Sequence, residues 1–140
     1  MRNRRTICVA ILVWLWVAPI GHAADSGPAS PEKLFRLTRA VMCETIEGYE
    51  PNFEAVAFSI NAGRISCYTA FEEVMATTFV SHKWYRHDEL VSAKRLTIKS
   101  PKWATYSSIQ LREADKGPWR VEIWDARNRI IKVLRFSVTD

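Results

Sequence analysis

GPWRVEIWDARNRIIKVLRFSV, residues 117–138, alternates with the two-residue period of a half-buried strand. Trp119, Val121 and Ile123 take one side, and Arg120, Glu122 and Trp124 take the other. Ala126-Arg127-Asn128-Arg129 is a short connection, after which Ile130, Leu134, Phe136 and Val138 return on the buried side. Two such runs joined by so short a link form a hairpin. Just ahead, Asp115-Lys116-Gly117-Pro118 has the composition of a turn.

The same alternation recurs upstream, whereas helical periodicity sustained over a long window is hard to find. Trp103–Leu111 sets Trp103, Thr105, Ser107 and Ile109 against Ala104, Tyr106, Ser108 and Gln110, and Ser100-Pro101 marks the preceding turn. Thr77–His87 places Val80, His82 and Trp84 opposite Phe79, Ser81, Lys83 and Tyr85. Asp88-Glu89 then breaks the chain before Leu90–Lys99, whose parity slips and calls for a bulge near Lys94-Arg95. Arg64–Phe71 and Phe35–Ile46 complete the set, the latter with Phe35, Leu37, Arg39, Val41 and Cys43 on one face. Pro51–Ala62 is ambiguous between a strand and irregular chain. About seven strands with frequent turns imply an all-β fold, an antiparallel two-sheet sandwich of immunoglobulin-like shape, with an open barrel as the alternative.

The N-terminus reads differently. Met1–Arg5 carries three arginines, Thr6–Ala18 is uncharged and apolar, and Gly21-His22-Ala23 supplies small residues at the spacing of a secretory cut after Ala23. At ~1.5 Å per residue this apolar run is too short to span ~30 Å of hydrocarbon, so the expectation is a cleaved signal peptide over 1–23, with a retained anchor as the rival. Residues 24–33 then form a flexible tether and 34–140 the domain, with no transmembrane span after cleavage. Such a leader addresses the chain to the bacterial periplasm or beyond. It also takes three of the 20 basic residues with it, leaving 17 against 15 acidic ones. That balance provides no electrostatic footprint for nucleic acid.

From Arg39 onward the chain resembles the bacterial domain-of-unknown-function family numbered 2914. The resemblance is carried by Arg39-Ala40 and Cys43, Pro51, the strand CYTAF (67–71), His82-x-Trp84-Tyr85, Trp103-x-x-Tyr106-Ser107-Ser108, Gly117-x-Trp119-Arg120-Val121, Asp125 and Phe136-x-Val138. Order and spacing carry it, since no single motif is specific. Members often have Gly in the last hairpin turn and an Arg after the Trp at position 103; Asn128 and Ala104 stand there instead. Asn tolerates positive φ, so the turn survives. The resemblance implies an exported β-rich fold and lends no catalytic residues.

Candidate residues divide into structural and exposed sets. Cys43 and Cys67 are the two cysteines left after cleavage, and in an oxidising compartment they are expected to form a disulfide, buried free thiols being the alternative. His82 and His87 are five apart on a strand and face opposite ways, so no metal site is expected. His82 reads as a hydrogen-bonded, half-buried side chain, and Trp84, Trp103 and Trp119 as core. Ser107 and Ser108 sit on a strand rather than at a nucleophile elbow, which leaves a hydrolase a distant third reading. No cofactor motif is present. Lys83, Tyr85, Arg86 and Trp124 form the expected contact surface, with Lys94, Arg95, Lys99 and Lys102 adding nearby basic charge. These features suggest a non-catalytic binding module of the cell envelope whose partner is an envelope protein or an anionic cell-wall or outer-membrane polymer. A structural accessory subunit of an envelope assembly is the alternative.

Overall fold

A computed structural model describes residues 33–140; the expected leader, and the tether up to Glu32, lie outside the described residues. Nine strands follow in order: β1 (Arg36–Glu47), β2 (Glu50–Glu54), β3 (Ala57–Ser59), β4 (Arg64–Glu72), β5 (Thr78–Arg86), β6 (Glu89–Ile98), β7 (Trp103–Gln110), β8 (Gly117–Asp125) and β9 (Ile130–Thr139). They form a four-stranded sheet of order β2-β1-β4-β7 and a five-stranded sheet of order β3-β9-β8-β5-β6, packed as a sandwich. Two strands exceed the expected seven, both from the ambiguous Pro51–Ala62 region. One of them, β3, pairs with β9 in parallel, so the fold is not antiparallel throughout.

The tight hairpins have sequence causes. His87 and Asp88 both hold positive φ between β5 and β6, and Asn128 does so between β8 and β9, as an asparagine can. Asp125 fixes the second turn: its Oδ1 accepts from the backbone N–H groups of Arg127 and Arg129, each at 2.9 Å, while Arg129 Nε donates to Oδ2 at 2.8 Å. Burial works against its charge, but these bonds prevail and hold the carboxyl below the usual aspartate range.

The core lies between the sheets. Phe136 sits at its centre, stacked on Trp119 at 6.0 Å and edge-on to Phe58 and Trp84 at 6.0 and 6.1 Å. Each such pair contributes roughly 0.5–1.5 kcal/mol beyond the area it buries. Met42, Ile65 and Cys67 meet this group from the four-stranded sheet, and a second cluster of Phe71, Val74, Val80 and Ile98 continues it. Trp103 is the exception among the expected core tryptophans. It lies on edge strand β7 and remains 36% exposed.

Three single-residue bulges correct the simple alternation. In β1 the register shifts between Leu37 and Arg39, leaving Thr38 as the extra residue. A one-residue slip exchanges faces, so Ala40 and Met42 turn inward while Arg39, Val41 and Cys43 turn outward. The expected disulfide fails for this reason. Met42, not Cys43, lies opposite Cys67, and the two buried thiols are free on opposite faces of the β1–β4 ladder. Side chains that point apart cannot bridge without moving the backbone. In β6 the extra residue is Val91, nearer the hairpin turn than the expected Lys94-Arg95. In β9 it is Ile131, which packs inward while Ile130 is left 49% exposed.

Candidate functional site

Two polar constellations stand out, one buried and one exposed. The buried one centres on His82 of β5, which is fully enclosed rather than half-buried. Its Nδ1 lies 2.9 Å from Ser107 Oγ and its Nε2 lies 3.2 Å from Thr69 Oγ1. Trp84 Nε1 donates to the same Ser107 Oγ at 3.0 Å, and Thr69 Oγ1 donates to the Thr105 carbonyl at 3.4 Å. One assignment satisfies every group: a neutral imidazole donates from Nε2 to Thr69 and accepts at Nδ1 from Ser107, which itself accepts from Trp84. Burial pushes the His82 pKa down to about 4, in keeping with that neutral form. The network ties β5 in one sheet to β4 and β7 in the other. Ser107 and His82 are thus in contact, but at 6% and 0% exposure neither offers a face to a substrate.

The exposed constellation covers the outer face of the five-stranded sheet. Strand register sets Lys83 opposite Glu122, Tyr85 opposite Arg120 and Ser81 opposite Trp124. Lys83 Nζ stands 3.7 Å from the centre of the Trp124 ring, the Arg120 guanidinium 4.2 Å from that of Tyr85, and the Arg95 guanidinium 3.5 Å from that of Phe79. Cations so placed are held by the ring quadrupole. Glu122 joins the rows: it accepts from Arg120 Nε at 2.9 Å and from Trp124 Nε1 at 3.0 Å, and bonds the Tyr85 hydroxyl. Burial opposes its charge, yet these donors hold its carboxyl below the usual glutamate range. Burial, and then the nearby Glu122 charge, raises the Tyr85 phenol.

The structure therefore brings Lys83, Tyr85 and Trp124 together and separates Arg86 from them. Arg86 lies opposite Trp119, on the inward parity, and its Nη1 donates to the Ala114 carbonyl at 2.7 Å and Asp115 Oδ1 at 2.6 Å. It clamps the short 3₁₀ turn before β8 and is no part of the outer face. The other basic residues also disperse: Lys102 pairs with Glu72 at 2.9 Å and Lys99 lies near the Trp103 ring. Arg120 and Glu122, which sequence reasoning did not single out, complete the site. Their outward alternation in WRVEIWD was visible, but their pairing with Lys83 and Tyr85 needs the strand register.

At the end of this face, the β5–β6 turn, the start of β8 and Arg135 of β9 enclose a cleft of about 140 Å³ lined by Tyr85, His87, Asp88, Arg120 and Arg135, among others. Gly117 makes room for the His87 ring that lines it. Its φ is +115°, and a Cβ there would stand 2.8 Å from His87 Nε2. The arrangement can receive an anionic group and stack a flat apolar one. Among the described residues no group of three or more His, Cys, Asp or Glu is placed to hold a metal ion. No helix among them is long and apolar enough to cross a membrane.

Residues 77–138 match the model of a family described as Protein of unknown function (DUF2914), which supports the resemblance to that family. The match takes in β5 through most of β9, and so the whole outer face and cleft, but not the upstream residues from Arg39 to Phe71. No curated protein matches the chain.

Proposed function

We propose that this DUF2914-like domain is an exported, non-catalytic binding module of the bacterial cell envelope. Its outer five-stranded face engages an anionic polymer or an envelope protein there. The observation that carries this reading is the interlocked row of Lys83, Trp124, Glu122, Arg120 and Tyr85. Glu122 fixes the two aromatic side chains and Arg120 before any ligand arrives, which lowers the ordering cost of binding. The leader sequence supports the compartment, and a near-neutral mature chain with local cationic–aromatic pairs suits acidic polysaccharide better than nucleic acid.

Co-sedimentation of the exported protein with purified envelope material tests the proposal. Trp124→Ala and Lys83→Ala are each expected to weaken binding about 3- to 10-fold, the range of one exposed to partly desolvated cation–ring contact. Unchanged sedimentation of both variants would remove the assignment.

A second reading, the structural accessory subunit, draws on another surface. Tyr49, Phe53 and Val56, at the β1–β2 turn and around β2, are 71–75% exposed. Exposed apolar groups so close in sequence suit a protein contact. A stoichiometric protein partner recovered from solubilised envelope, and lost with Phe53→Ser, would favour this role.

A further inference from the structure

Arg120 and Arg135 are direct partners on β8 and β9 and share the outer face. Like charges placed opposite one another across a ladder repel. Arg120 is compensated, since Nε bonds Glu122 and Nη1 bonds Asp88, while Nη2 has no bond among the described residues. Arg135 has no ion pair or hydrogen bond among the described residues, and it borders the cleft. Glu122 is nearly buried and engaged by Arg120 and Trp124, and no hydrogen bond or ion pair joins it to Arg135 among the described residues. Asp88 is the other acid at hand. Its side chain is 90% exposed on a two-residue turn and engages one edge of Arg120 only.

We propose that the cleft is an oxyanion site. A carboxylate or phosphate group of the ligand lies between the Arg135 guanidinium and the free Nη2 edge of Arg120, with the His87 ring at the rim. Planar guanidinium forks match paired oxygens, and two of them on one anion relieve the repulsion that the bare pair carries. Asp88 acts as a weak internal competitor that an entering anion displaces from Arg120. The inference rests on the binding reading of the same face and names its ligand chemistry: an acidic group, from a uronic acid or from a phosphorylated sugar.

Amide chemical-shift titrations of the exported protein with galacturonate and with inorganic phosphate, run separately at low salt, test the site and distinguish the two sources. Saturable shifts are expected at His87–Asp88, Arg120 and Arg135. Arg135→Gln is expected to weaken the preferred anion at least 10-fold, whereas Asp88→Asn, which suits the same positive-φ turn, is expected to strengthen it about 3- to 10-fold. Added salt should weaken binding in each case. Shifts that ignore both substitutions, or that arise elsewhere, overturn the oxyanion site. If the anions miss the cleft while envelope binding still depends on Trp124 and Lys83, the site falls and the binding module stands. If the anions bind and Arg135→Gln abolishes this, the site stands even where no envelope material sediments, and only the envelope assignment falls.

Discussion

His82 is the most consequential single side chain. Its folded pKa of about 4 lies below the ordinary histidine value of about 6.5. The unfolded chain therefore binds a proton that the folded chain refuses between those two values, and acid favours unfolding there. The contribution is fully present above pH 6.5 and is lost as pH falls toward 4. At pH 4.5 the loss is about 2–3 kcal/mol by linkage. Urea denaturation at pH 7.5 and 4.5 should show it, and the difference should shrink by that amount in His82→Gln, which lacks the titrating ring. Ser107 is the second sensitive point. Ser107→Ala strips partners from both Trp84 Nε1 and His82 Nδ1 in a closed interior, so a cost of about 1–3 kcal/mol is expected in the same assay at neutral pH. A neutral Ser107→Ala would mean that this network stabilises nothing. The exposed residues obey a different economy: Lys83 and Trp124 touch each other on the surface, so their loss should change binding while leaving the denaturation midpoint within a few tenths of a kcal/mol.

Strands were legible because burial on one face imprints a two-residue period. All seven expected strands occur, with ends within two residues of the reading. What alternation conceals is the bulge. Thr38, Val91 and Ile131 each insert one residue, and no side-chain preference announces them, so parity beyond each was misread. That misreading produced the Cys43–Cys67 bridge and the inward Ile130. β2 and β3 escaped notice because Glu-Pro-Asn-Phe-Glu is mostly polar and β3 is three residues long, its pairing with β9 supplied from the far end of the chain. The outer face was half legible. Lys83, Tyr85 and Trp124 follow from parity, Arg86 was placed against it, and the cleft draws on strands remote in sequence. The bulge itself is testable: deleting Thr38 lets Leu37 and Arg39 pair with Phe71 and Ala70 in unbroken alternation, keeps Ala40 and Met42 inward and Arg39 and Cys43 outward, and should leave cooperative unfolding intact. The thiols supply a milder test. Burial pushes the Cys43 pKa up to about 11 and that of Cys67 higher still, so both should resist alkylation until denaturant is added and then each take one label. A disulfide-linked Cys43–Cys67 peptide in a non-reducing digest would contradict the register.

The sandwich divides its labour between two surfaces of one sheet. The inner surface of the five-stranded sheet supplies Trp84, Trp119, Val121, Ile123 and Phe136 to the core, and the same strands, one residue out of phase, present Lys83, Tyr85, Arg120, Glu122 and Trp124 outside. Strand β8 thus serves both roles by alternation alone, and the outer row inherits the rigidity of the packed layer beneath it. Binding on such a face needs no conformational change, so it should weaken smoothly with salt and leave the core unaltered. Hydrogen–deuterium exchange with and without purified acidic envelope oligosaccharide tests this most directly. The account predicts added protection confined to Ser81–Asp88, Arg120–Trp124 and the Arg135 region of β9. Protection centred instead on Tyr49–Val56, or none at saturating oligosaccharide, would contradict it.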